Sequence, residues 1–198
     1  MVKKADIPQH VIDTAMDLAR EKGWRELSLT DIAEAAKLPL SQVYDVYPSK
    51  QAILKGFARM IDTKVIAEED SDTGNEPAKD RLFDIIMRRL DALGPYKDAL
   101  AAIAHDQGRD PLAAACSARR LHRSMACMLE AAQLSAGGVR GMVRVKALAG
   151  VYLATLRVWF KDDAEDLPKT MASLDRYLTR IDGCARRFAK KRPEAAAA

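Results

Sequence analysis

Apolar residues recur along this chain three and four positions apart, and no run of β-branched residues alternates with a period of two. Such spacing lines up apolar side chains on one side of a helix and leaves no strand face to bury, so the pattern predicts an all-α fold. The breaks are as informative as the runs. Gly23, the triplet Lys37-Leu38-Pro39 and the pair Pro48-Ser49 divide the first fifty residues into short segments, because glycine and proline end helices. Residues 69–77 read as a polar loop, and beyond them helices are expected near 78–93, 96–107, 111–133, 139–161 and 168–190.

Within the first segment Pro8 suits an opening helical turn, and Ile7, Val11, Ala15, Leu18 and Ala19 share one face. Ser28-Leu-Thr-Asp31 has the form of a capping box, in which Ser28 accepts from the backbone and Asp31 reaches back. Leu29, Ile32, Ala33 and Ala36 make the apolar side of that helix. A third short helix runs from Leu40 to Val46, with Val43 and Tyr47 facing in. Three short helices with a tight turn between the second and third form a helix-turn-helix plan. Ser49 then caps a longer helix carrying Leu54, Phe57, Ile61 and Val65. The chain therefore divides into a helix-turn-helix domain over 1–50, an antiparallel helical bundle over 51–191 and a disordered tail over 192–198.

In the last helix Leu167, Met171, Leu174, Leu178, Ile181, Ala185 and Phe188 alternate spacings of four and three, a seam suited to packing along a partner helix. In the helix before it, Val145, Leu148, Tyr152, Leu156 and Trp159 form a stripe with Ala149, Leu153 and Phe160 beside it. Ala147, Gly150 and Ala154 allow close approach of another helix. A helix apolar around this much of its girth needs cover on several sides. A dimer interface and a ligand pocket together provide it.

With 48% hydrophobic and 30% charged residues, the 198-residue chain has the material for a substantial core. Its most apolar stretch, 142–160, is interrupted by Arg144, Lys146 and Arg157, which predicts a buried helix and no membrane span. The opening residues lack the apolar core of a signal peptide. Cys116, Cys127 and Cys184 are odd in number and widely spaced, which suits free thiols in a reducing, cytoplasmic setting. No glycine-rich phosphate loop, nucleophile elbow or closely spaced histidine set is present, so neither catalysis nor a metal or other cofactor is expected.

The net charge is +4, yet residues 1–50 hold seven Lys/Arg against eight Asp/Glu. The positive excess lies later, with Arg186, Arg187, Lys190, Lys191 and Arg192 near the end. Arg119, Arg120, His122 and Arg123 form a basic cluster that is either a solvated face or a contact for an acidic ligand group or membrane surface. Met125, Met128, Met142, Tyr152, Leu156 and Trp159 either line a lipophilic pocket or fill the core. The candidate ligand-binding set is His122, Met125, Tyr152, Leu156 and Trp159.

The run Ser28-Leu-Thr-Asp-Ile-Ala-Glu-Ala-Ala36, followed by Val43-Tyr44 and Tyr47-Pro-Ser-Lys50, resembles the TetR family of transcriptional regulators over roughly residues 7–57. The resemblance implies that residues 40–46 form a recognition helix entering the major groove of duplex DNA. It places Tyr44 and Lys50 on phosphates, and Leu40, Ser41, Gln42 and Asp45 toward bases or backbone. Ser28 and Thr30 would meet a phosphate at the start of the second helix. Gln42 has an amide able to pair with the edge of adenine, whereas Asp45 costs affinity unless it accepts from a cytosine amine. Lys37 stands where that family has glycine.

The run from Trp159 to Asp175 resembles the end of the ubiquinone-biosynthesis lipid-binding family that shares the TetR fold. The two resemblances imply two functions. One is a homodimeric regulator, paired through the helices near 139–161 and 168–190 and controlled by a small apolar effector. The other is a lipid-binding accessory protein of the same fold that reads no operator.

Overall fold

A computed structural model describes residues 6–67, 76–108 and 110–190, with the backbone alone for 185–190. The loop expected over 69–77 and the tail expected over 192–198 therefore fall largely or wholly outside the described residues. Among the described residues the chain forms nine α-helices and no strand. They are α1 (Ile7–Lys22), α2 (Leu29–Ala36), α3 (Leu40–Val46), α4 (Lys50–Ala67), α5 (Ala78–Leu93), α6 (Lys97–Gln107), α7 (Pro111–Ala131), α8 (Gly138–Trp159) and α9 (Pro168–Lys190), with a 3-10 turn over Gly94–Tyr96 between α5 and α6. No helix is long and apolar enough to cross a membrane among these residues. Among the described residues Cys116, Cys127 and Cys184 form no disulfide.

Two compact units result. The first runs to Lys64 and takes in Ala92–Ser124; the second comprises Val65–Asp91 and the chain from Met125 onward. The first unit is thus larger than the helix-turn-helix segment marked by the sequence. In it α1 packs on α2, α3 and α6. The buried face of α1 holds Ile7, Val11, Ala15 and Ala19 as expected, together with Ile12 and Met16, while Leu18 is only half-buried. Both ends of α6 are tied to the short helices. The Tyr96 hydroxyl donates to Asp13 Oδ1 at 2.9 Å, and Asp106 Oδ2 accepts from the Arg25 backbone N–H at 2.9 Å. Burial and the Asp13 carboxylate push the Tyr96 phenol up to about 12, so it remains a donor at any ordinary pH.

The second unit is organised on the α8–α9 hairpin. Val145, Leu148, Tyr152 and Trp159 are buried on α8, and Leu174 and Leu178 on α9. This corrects the reading of the last helix as a seam toward a partner. Leu174 and Leu178, at 0% and 1% exposure, are already covered within their own chain, while Met171 on another side is 41% exposed. Leu167 lies outside the helix with φ 47, and the side chains of Ala185 and Phe188 are outside the described residues. Each such buried leucine contributes about 1.5–3 kcal/mol to the fold of the single chain. α9 begins where it does because Asp162 caps it from a distance. The Asp162 carboxylate is 1% exposed and accepts from the Thr170 N–H and hydroxyl, both at 2.8 Å. Gly141 is required on α8, since a Cβ there would lie 2.1 Å from the Ala136 carbonyl carbon.

Left-handed backbone ends two helices. Gln133 (φ 58) closes α7 soon after Ala131, and Lys37 (φ 55) closes α2, its N–H donating to Glu34 O at 3.1 Å. Glycine takes this conformation without a Cβ penalty. Lys37→Gly is therefore expected to stabilise the protein by about 1 kcal/mol, read as a higher urea midpoint with an unchanged slope. Burial would raise the pKa of Asp162, but the hydrogen bonds from Thr170 outweigh it and hold the carboxyl below its ordinary value. Its contribution is then fully present above the ordinary carboxylate range and lost as pH falls through the lowered value. Asp162→Asn should melt below the parent protein at pH 7, with the gap closing toward pH 3; a gap independent of pH would mean that the charge is not what caps α9.

Candidate nucleic-acid interface

The exposed face of α3 is produced by what lies beneath it. Ser28 Oγ accepts from the Asp31 N–H at 3.1 Å, and Asp31 Oδ2 accepts from the Ser28 N–H at 2.8 Å and from its hydroxyl at 2.6 Å. These hydrogen bonds, side chain first and backbone second, hold the Asp31 carboxyl below its usual range. Ile32, Ala33 and Ala36 are buried, and the His10 ring lies 3.0 Å from the Ala36 carbonyl, so the end of α2 is tied to α1. Lys37 turns the chain, Pro39 precedes α3, and the wholly buried Val43 sets the rotation of α3 about its own axis.

With Val43 inward, Leu40, Ser41, Gln42, Tyr44 and Asp45 all face solvent. Leu40 is 45% and Tyr44 58% exposed, unusual values for large apolar bodies on a core-forming domain. Asp45 is the one ionisable side chain on α3 besides Tyr44. Tyr47, just past the helix, is half-buried over Gly56, where a Cβ would come within 2.6 Å of the tyrosine ring.

Two of the implied phosphate contacts, Lys50 and Ser28, are already engaged within the chain. Lys50 Nζ donates to the carbonyls of Trp24 at 2.9 Å and Arg25 at 3.0 Å, and it lies 5.6 Å from the centre of the Trp24 ring. Burial draws its pKa down. Its charge therefore stitches the α1–α2 turn to the start of α4. Ser28 likewise has both its N–H and its hydroxyl engaged by Asp31. Thr30, at the second position of α2, is exposed. Sequence reasoning did not assign Lys37 to the interface, yet it is an exposed cation at the turn directly before α3. Its charge beside α3 was the available signal.

The candidate ligand residues separate. His122 is exposed and belongs to the first unit. Met125, Tyr152 and Trp159 are buried in the second unit, and Leu156 is half-buried there. Their surroundings are not purely apolar. Arg89, only 5% exposed, donates from Nε to the Tyr152 hydroxyl at 3.3 Å, with its guanidinium 5.6 Å from the centre of that ring. Sequence reading missed Arg89, because a lone arginine on an amphipathic helix reads as a surface residue. A cleft of about 310 Å³ in the first unit is lined by Trp24, Lys50, Asp106 and Asp110 among others, and by none of the five candidates.

Comparison with known proteins bears on the domain and the fold. Residues 11–56 match the family of bacterial regulatory proteins, tetR family. No functionally curated protein matches the chain. Among solved structures, a TetR transcriptional regulator from Nitrosomonas europaea is similar with a TM-score of 0.72 and 23% identity, covering 88% of this chain and 97% of that one. A TetR regulator from Rhodococcus sp. RHA1 has a TM-score of 0.59 at 16% identity, covering 89% and 96%. FadR of Thermus thermophilus, a TetR-family transcriptional repressor solved in complex with lauroyl-CoA, has a TM-score of 0.56 at 18% identity, covering 87% and 93%. Residues 11–56 thus match the N-terminal domain of the tetR family of bacterial regulatory proteins, and the all-α fold around them is similar to that of solved TetR regulators.

Proposed function

We propose that this protein is a cytoplasmic, homodimeric transcription regulator that reads operator DNA with α3 and releases or gains it on binding an apolar effector. The observation that carries the reading is the solvent-facing row Leu40, Ser41, Gln42, Tyr44 and Asp45 on a short helix whose rotation is set by Val43. Gln42 supplies base readout, Tyr44 and Thr30 supply phosphate contacts, and the exposed Lys37 adds a cation beside them. Lys50 and Ser28 support the interface by holding α2 and α4 in place.

Dimerisation uses α8 and α9. Val139, Met142, Val143 and Leu153 are exposed on α8, and Met171 on α9. This is apolar surface left over after Leu174 and Leu178 are covered. A Cβ at Gly150 would meet nothing within 4 Å, so the middle of α8 is open to a close partner. Two heads compensate for the weak charge of each one. The effector belongs to the second unit, near Met125, Tyr152, Leu156 and Trp159. The lauroyl-CoA bound by the Thermus thermophilus relative favours a long-chain acyl compound as its class.

A second reading, a TetR-like lipid-binding accessory protein without an operator, is favoured by the acidic balance of residues 1–50 and the outward carboxylate of Asp45. Selection from a random duplex pool at 50 mM and 200 mM salt separates the two. A regulator enriches a two-half-site sequence and loses affinity steeply with salt. A lipid carrier enriches none, yet shows an acyl or isoprenoid adduct in native mass spectrometry. On the selected duplex, Asp45→Asn should tighten binding about three- to tenfold by removing a carboxylate from the phosphate field. Lys50→Met should cost about 1–2 kcal/mol of stability in the DNA-free protein, through its two lost carbonyl contacts. An unchanged melting temperature with weakened DNA binding would make Lys50 a phosphate ligand instead.

A further inference from the structure

We propose that the groove between α5 and α9 receives the basic C-terminal end of α9 from a second copy of this chain. The groove holds about 500 Å³ and is lined by Asp80, Phe83, Asp84, Met171, Ala172 and Asp175. Phe83 and Met171 give it an apolar floor. Asp80 and Asp84, both exposed and one helical turn apart, stand on the α5 side, and Asp175 stands on the α9 side. Lys79 bonds Asp175 at 2.8 Å and Thr179 at 3.3 Å, which leaves the rim negative by the two α5 carboxylates.

A segment of matching chemistry exists in the same sequence, where Arg186, Arg187, Lys190, Lys191 and Arg192 flank Phe188. The chain cannot deliver that segment to its own groove. α9 is one continuous helix over Pro168–Lys190, so Lys190 lies about 27 Å along the axis from Ala172. A second copy lying antiparallel along the exposed side of α9 can. Ala172, Asp175, Arg176, Thr179 and Gly183 share that side. A Cβ at Gly183 would meet nothing within 4 Å, so the crossing point is open. With Thr179 of one copy opposite Gly183 of the other, Asp175 comes opposite Arg187, and Ala172 opposite Lys190. That register brings the α5 carboxylates to the Lys190 end of the partner helix. Arg176 is turned aside onto the Tyr177 ring, 5.1 Å from its centre. The proposal rests on the homodimer proposed above and specifies its direction and register.

The test is a charge swap on the full chain. Asp80→Lys with Asp84→Lys makes the groove basic, and Arg187→Glu with Lys190→Glu makes the helix end acidic. Each variant should dimerise about tenfold more weakly than the parent at low salt, measured by sedimentation over a concentration series. Mixed together they should form heterodimers, because both groove–helix contacts then regain opposite charge. Native mass spectrometry should show heterodimer well above the statistical half of all dimers. Parent-level dimerisation in both variants, or a statistical mixture, overturns the groove assignment while leaving the dimer intact. A parent chain that stays monomeric at every concentration overturns the dimer itself. Asp80 and Asp84 are exposed, and circular dichroism checks that each variant is folded. If either variant is not, the parent protein decides alone: dimerisation that does not weaken between 50 mM and 500 mM salt overturns the groove assignment.

Discussion

A helix of seven residues does not persist in water by its own hydrogen bonds, and α3 is such a helix. What keeps it helical is the burial of one side chain, Val43, against the short helices beneath it. The DNA-reading role proposed for the first unit depends on that contact. It sets the rotation of α3, and so decides that Gln42 and Tyr44 face outward. The supports of Val43 are polar and local: the Ser28–Asp31 box at one end of α2, the His10–Ala36 contact at the other, and Lys50 across the α1–α2 turn. Charged and polar groups here are spent on holding a platform still, which is what base readout at hydrogen-bond distance needs.

The same economy explains why the interface has so little positive charge of its own. A lysine that binds two carbonyls cannot at the same time lie fully on a phosphate, and a serine inside a capping box has no free hydroxyl hydrogen. In the proposed regulator, affinity comes from pairing of heads and from the few groups that are exposed. Specificity in such an arrangement leans on geometry, since the electrostatic, sequence-independent part of binding is small.

The second unit shows the opposite balance, a large apolar interior with a few polar groups held inside it. Arg89 Nε donates to the Tyr152 hydroxyl, and Asp162 Oδ2 accepts from the Thr170 N–H and hydroxyl. Buried polar groups of this kind restrict how helices slide past one another, because a shift of one residue would leave them unpaired. The α8–α9 hairpin is therefore a fixed object with one covered side and one open side. Its open side carries Val139, Val143 and Leu153.

Helix existence and limits were largely legible in the sequence, because they are decided by neighbours within a few positions. The capping box at Ser28, the turn at Lys37-Leu38-Pro39, and the spans of α5, α6 and α9 all follow from local chemistry and period. The helix-turn-helix plan followed for the same reason. Periodicity shows that a stripe must be covered and is silent on what covers it, so Leu174 and Leu178 read as a partner-facing seam although α9 folds them into its own chain. Long side chains were the other blind spot. The ammonium of Lys50 finds carbonyls 25 and 26 positions away, and the guanidinium of Arg89 finds a hydroxyl 63 positions away. Short-range pattern determined which segments are helical; only the tertiary structure, by bringing distant groups within hydrogen-bond reach, decided which faces are core and which charges remain free to meet a partner.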